Sequence, residues 1–326
     1  EFIALEAVTT SVIEGENLDA NSVRSSIAKQ LGLPSGGLPV NSVKTDGLVE
    51  ILLDATHNYS DQLTNERIYS WHAALFPTGY SGMNKINSGN YRTGSEPMEV
   101  VSGIIGNSVV HFKAPESESV PGLMNNFILW WNNEKSLDGI IKAAVSHLYF
   151  LTIHPFDDGN GRIARVLTDM TLAADEKNGR RLYSLSPQIL KNKSEYYQIL
   201  EETQKGDGDI TKWIIWFLSM YLKAIESSLD VIEKTISINR LKTNLIQFEL
   251  NERQKKVIIK LIENWPNGFK DGISNKKYVS IAKTTPETAK RDLKKLVELG
   301  LLKRSESGGR STAYLLEDSN FFVYFK

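Results

Sequence analysis

Two strongly apolar stretches, LDGIIKAAVSHLYFLTI at 137–153 and IARVLTDMTLAADEKNG at 163–179, are joined by one short polar segment, HPFDDGNGR. Both stretches carry apolar residues at helical spacing, and neither can face water on all sides, so together they predict the buried centre of a helical body. Pro155 cannot continue the first helix, and Gly179 stops the second. The joining segment is therefore a loop that delivers a helix N-terminus into that centre. A histidine, two aspartates, a Gly-Asn-Gly and an arginine have no packing role in such a loop, and a second arginine follows three residues on.

The rest of the chain supports a mainly α fold. Its 326 residues suffice for two domains, and 41% apolar with 24% charged residues is ordinary globular composition. No cysteine is present, which excludes disulfides, thiolate zinc sites and a cysteine nucleophile, and fits the expected cytoplasmic location. No apolar run approaches the roughly 18 residues needed to span a bilayer, so no membrane role is expected. The chain starts at Glu1 rather than Met, which leaves room for an upstream segment.

Residues 1–33 read as helix and 32–39 as a Gly/Pro loop. Further helices are expected near 42–56, 65–75, 120–134, 193–205 and 209–230, and residues 77–97 form a long turn-rich passage. MEVVSGIIGNSVVHF, 98–112, predicts a β-hairpin turning at Gly106-Asn107.

Within the loop, Gly159 and Gly161 permit backbone conformations closed to other residues, so that amides around Asn160 can face one concavity. The following helix adds the positive end of its dipole. Arg162 and Arg165, one turn apart, can fork onto phosphate oxygens. His154 can accept a proton near neutral pH, and Asp158 supplies one hard oxygen beside the phosphates for Mg²⁺. Phe156 is expected to anchor the loop and Asp157 to face solvent. A base, a metal carboxylate and a phosphate cradle describe phosphoryl or nucleotidyl transfer.

HPFDDGNGRIAR resembles the signature of the Fic family, and the similarity extends to NYR at 90–92, VVSGIIG at 100–106 and the tyrosine pair at 196–197, covering roughly residues 5–230. The resemblance implies a Fic-type helical domain with a hairpin flap that transfers AMP from ATP to a Tyr, Thr or Ser hydroxyl of a target protein. It implies His154 as base, Asp158 on Mg²⁺, Gly159, Asn160, Gly161 and Arg162 around the phosphates, and Arg165 on the γ-phosphate. Ile104, Ile105 and Gly106 of the flap would lie near the nucleotide. Tyr196 and Tyr197 would lie on its adenine side, with two core tyrosines as the alternative. Gln204 stands where close relatives often carry Asn, which weakens the base-contact assignment.

TSVIEG, 10–15, resembles the family's inhibitory pattern, in the class that carries it N-terminal to the signature. Glu14 would then pair with Arg165 and take away the donor meant for the γ-phosphate. Relatives can also run the reaction backward as de-AMPylases, and a homodimer is among the expected assemblies.

Residues 251–316 hold 15 Lys/Arg against 7 Asp/Glu, whereas 1–250 hold 22 against 30. Opposite charge suggests separate jobs. Three predicted helices and two strands around Gly308-Gly309-Arg310 resemble a winged helix-turn-helix. Its third helix carries Lys290, Arg291, Lys294 and Lys295, so DNA is the expected partner, with protein contact or dimerisation as the alternative. The expected domains are an inhibitory region at 1–35, a catalytic domain at 36–245 and a winged helix at 246–326. The rival reading is a DNA-binding transcriptional regulator whose Fic-like region senses nucleotide.

Overall fold

The computed structural model describes residues 2–33, 42–94, 98–104, 107–263, 272–305 and 312–317. The chain divides into two compact units, Glu1–Ser228 and Leu229–Lys326.

At the centre of the first unit lie helices α6 (Gly139–Ile153) and α7 (Asn160–Glu176). α6 starts where the Asp138 carboxylate accepts the Ile140 amide at 2.9 Å, and it ends at His154, whose φ of 50° breaks the helix before Pro155. α7 is buried almost all round, from Ile163 through Ala173. It packs against α6 and against α1 (Phe2–Ile13), α3 (Val43–His57) and α4 (Asn65–Leu75). The centre demanded by the two apolar stretches is thus real, and Ile163, Leu167 and Met170 are fully enclosed in it.

The predicted first helix is two helices. α1 stops at Ile13, and Gly15, with φ of 80°, redirects the chain before α2 (Ala20–Gln30) begins at its Asp19 cap. Glu14 therefore sits in the turn just past α1 rather than inside a helix. The passage 77–97 contains a small hairpin, β1 (Tyr80–Ser81) with β2 (Asn84–Lys85). The predicted hairpin forms as β3 (Glu99–Ile104) and β4 (Asn107–Lys113), antiparallel with a bulge at Val100/Val101. Asn107 already pairs with Ile104 in the ladder instead of serving as a turn residue, while Ile105 and Gly106 lie outside the described residues.

α5 (Val120–Asn133), α8 (Ser186–Lys191) and α9 (Lys193–Gln204) complete the layer around the core. α8 escaped the sequence reading because its six residues carry too little periodicity. α10 (Thr211–Asn244) is longer than expected, and its Trp213, Trp216 and Phe217 enter the first core.

The second unit contains α11 (Glu252–Glu263), α12 (Asn275–Ala282) and α13 (Pro286–Glu298). A three-stranded antiparallel sheet accompanies them, ordered β5 (Ile273–Ser274), β7 (Ala313–Leu316), β6 (Leu302–Arg304). β5 is an addition to the two predicted strands; residues 308–310 lie outside the described set. Thr285 caps α13 by accepting the Thr288 amide, as its position before Pro286 predicts. The core is Val257, Ile258, Tyr278, Leu293 and Leu296 with their neighbours, around a buried Asp292 that accepts Tyr278 and Arg253 at 3.1 Å each. Among the described residues, no helix is long and apolar enough to cross a membrane.

Candidate active site

His154, Asp158, Gly159, Asn160, Gly161 and Arg165 line one cavity of about 850 Å³, and Glu14, Tyr196, Tyr197 and Gln204 border it as well. The cavity exists because α6 and α7 meet at the polar loop and the helices around them cannot close over it.

The loop is held from below. Phe156 is fully buried and stacks on His72, centroids 4.0 Å apart. The Asn160 side chain braces Phe156, accepting its amide at 3.0 Å and donating to its carbonyl at 2.8 Å. Asn160 thus spends its side chain on the loop and has only backbone left for a ligand. Arg92, the arginine of NYR, donates from Nε to the His154 carbonyl at 2.8 Å and from its amide to the Pro155 carbonyl at 2.9 Å. Asp157 accepts the Asn87 amide at 2.8 Å, so the expected solvated carboxylate is a second brace.

Gly159 caps α7 with φ of 81° and no side-chain cap bond, so the first amides of α7 stay available to an anion. Gly161 permits the closest approach: a Cβ there would collide with Glu14 Oε1. A carboxylate is therefore already seated against the cradle, in keeping with its preference for negative charge.

The His154 backbone is left-handed, an uncommon state for a residue with a side chain. Its Nδ1 lies 3.3 Å from the Leu151 carbonyl. A carbonyl only accepts, so Nδ1 carries the proton and Nε2 keeps its lone pair. Burial, with Arg92 acting in the same direction, pushes the imidazole down to about 4, so it is neutral at pH 7, with the Nε2 lone pair open to a proton.

Asp158 is 41% exposed. Its Oδ2 accepts the Ser81 hydroxyl, and its backbone carbonyl accepts from His72 Nε2 at 3.1 Å. His72 Nδ1 accepts the Gly89 amide at 2.9 Å, which assigns the proton to Nε2. Among the described residues, no group of three or more acidic or histidine side chains could hold a metal. One accessible carboxylate beside an anion cradle does fit Mg²⁺ that takes most of its ligands from phosphates and water.

The two arginines do not share a face of the cavity. Arg165 is 3% exposed; its Nη2 donates to Glu14 Oε1 at 2.5 Å and its Nε to Thr10 Oγ1 at 2.6 Å. Its Nη1 is buried without a hydrogen-bond partner among the described residues. Arg162 is equally buried, lies outside the cavity lining, and pairs with Glu16 at 3.3 Å over the Phe76 ring.

The tyrosines also divide. Tyr196 is 2% exposed and donates to His147 Nε2 at 2.8 Å, whereas Tyr197 is 40% exposed on the cavity. Gln204 approaches Thr152 at 3.4 Å. Met98, Glu99 and Phe112 bring the β3–β4 hairpin to the rim; Ile104 lies in β3 with its side chain outside the described set, and Ile105 and Gly106 are likewise undescribed. Sequence reasoning missed His72, Ser81 and the contact of Arg92, because each reaches the loop across long sequence separations.

Residues 62–172 match the family described as Fic/DOC, and residues 1–33 match a domain of unknown function, DUF4172. A probable protein adenylyltransferase of Aquifex aeolicus is 35% identical over 95 residues, 29% of this chain and 27% of that protein. A protein adenylyltransferase of Caenorhabditis elegans is 24% identical over 208 residues, 61% of this chain and 36% of its own length. A Drosophila grimshawi protein adenylyltransferase is 37% identical over 89 residues, 26% of this chain and 17% of its own. The chain thus spans well under two thirds of these relatives. In fold, it resembles a Fic family protein of Desulfovibrio desulfuricans, TM-score 0.52 at 18% identity over 96% of this chain and 86% of that one. A Fic domain-containing signaling protein of Bacteroides thetaiotaomicron gives 0.51 at 22% identity over 70% and 84%. The likeness to the Fic/DOC family thus lies over residues 62–172 of this chain.

Proposed function

We propose that this chain is a protein adenylyltransferase that moves AMP from ATP to a hydroxyl of a target protein and is held in check by Glu14. The observation that carries the reading is the convergence of a neutral His154 with free Nε2, the accessible Asp158 and the open amides of α7 on one cavity.

The triphosphate lies along Gly159–Gly161 at the α7 N-terminus, and Arg165, with its unpartnered Nη1, receives the terminal phosphate once Glu14 withdraws. The target's Tyr, Thr or Ser oxygen attacks the α-phosphorus and its proton passes to His154 Nε2. The new O–P bond forms as the bond to the pyrophosphate oxygen breaks, and pyrophosphate leaves. Asp158 would hold Mg²⁺, which would supply neutralisation of the phosphate charge. Tyr197 and Gln204 flank the base, and the β3–β4 hairpin offers a strand edge to the target segment. With Glu14 on Arg165, the terminal phosphate finds no donor, so ATP has to displace the carboxylate to bind and transfer is slow.

The test is incubation of the full chain with Mg-ATP and a cell extract as acceptor. Label from the α-phosphate should appear on protein, increase with Glu14→Gly and vanish with His154→Ala. Label from the γ-phosphate, or persistence in His154→Ala, refutes the reading.

For the second unit, we read a winged helix-turn-helix with α13 as the groove helix. Lys290, Arg291, Lys294 and Lys295 are all exposed on it, which favours nucleic acid as partner.

A further inference from the structure

The turn after α1 carries two carboxylates, Glu14 and Glu16, on either side of Gly15. Glu16 Oε2 accepts Arg162 Nη1 at 3.3 Å, and Glu16 Oε1 accepts Lys44 Nζ of α3 at 2.6 Å. Arg162 is 3% exposed, its Nη2 lies 3.8 Å from Asp158 Oδ1, and its Nε has no hydrogen-bond partner among the described residues. The same three-residue turn therefore engages both arginines of the α7 first turns, Glu14 on Arg165 and Glu16 on Arg162.

We infer that Glu16 and Lys44 are positioning residues that form a second latch, holding the α1–α2 turn closed and keeping Arg162 from an incoming phosphate. This rests on the proposed use of the cavity for a nucleoside triphosphate. Gly15 lets the chain reverse so that two carboxylates two residues apart reach arginines on one helix. Lys44 holds one oxygen of Glu16 and so aims the other at Arg162. Because both carboxylates ride on one short turn, loosening either weakens the hold of the other. Triphosphate binding has to open this turn, so its apparent affinity is reduced by the fraction of time the turn is closed.

The experiment is calorimetric titration of the full chain with Mg-ATP, in wild type, Glu14→Gly, Glu16→Gln, Lys44→Met and Glu14→Gly/Glu16→Gln, each checked for fold by circular dichroism. Glu16→Gln should tighten Mg-ATP about three- to tenfold, the scale of a partly exposed ion pair on a buried arginine. Its effect should shrink in the Glu14→Gly background, where the turn is already released. Lys44→Met is the sharper arm. It removes a positive charge, so simple attraction predicts weaker binding of an anion, whereas release of the latch predicts tighter binding. If Glu16→Gln and Lys44→Met bind within twofold of wild type or more weakly while Glu14→Gly binds more tightly, the second latch is overturned and the brake on Arg165 stands. If Glu14→Gly alone has no effect, the Glu14 brake falls instead. If no variant binds Mg-ATP, both readings fall together.

Discussion

Removing the Glu14 carboxylate should make the protein less stable and bind nucleotide better at once. Arg165 is 3% exposed and Glu14 25%, and their contact is 2.5 Å. A hydrogen bond to a charged group is worth roughly 1.5–3 kcal/mol, and the partial exposure of the carboxylate places this one near 2 kcal/mol, on the order of the lower half. Glu14→Ala is the cleaner probe here, because glycine would add backbone entropy of its own. At about 2–4 °C per kcal/mol for a unit of this size, the apo melting temperature should fall by about 4–8 °C. The same interaction is what ATP must displace, so Mg-ATP should bind about 30-fold tighter, since 1.4 kcal/mol is tenfold. Thermal melts without nucleotide and calorimetry with Mg-ATP measure the two halves. Loss of stability with no gain in affinity would show that Glu14 is only a structural partner of Arg165 and would refute the argument.

Three further outcomes test separate parts of the structure. His147 is 1% exposed, and burial pushes its imidazole down to about 3, below an unfolded value near 6.5. Its contribution is complete above about pH 6.5 and is lost as pH falls toward 3, so the wild-type advantage over His147→Gln in urea unfolding should shrink by about 2 kcal/mol between pH 7 and pH 5. A pH-independent difference would contradict the burial of a neutral imidazole. Asp158→Ala should leave the fold intact, since the carboxylate is 41% exposed, but abolish the Mg²⁺ dependence of ATP binding in calorimetry; an unchanged metal response would place the ion elsewhere. Asp292→Ala should leave buried Tyr278 without its acceptor, while the exposed Arg253 turns to water, and cost roughly 1–3 kcal/mol, read as faster proteolysis within 229–326. Unaltered cleavage would mean the network is dispensable.

The sequence by itself determined the chemistry of the loop and its setting. Two apolar helical stretches had to be buried, Pro155 had to end one of them, and the Gly-Asn-Gly had to start the other with open amides. These are local rules, readable within one turn of each residue. The tertiary structure decided everything that joins distant segments. Thr10 and Glu14 meet Arg165 across 155 and 151 residues, and Ser81 reaches Asp158 across 77. Tyr196 and Tyr197, adjacent in sequence, go one into the core and one to the cavity because α9 presents them on different faces. Arg162 and Arg165 also part company: a shared helical stripe says which residues are neighbours, but which carboxylate covers each is settled only when the α1 turn closes on α7.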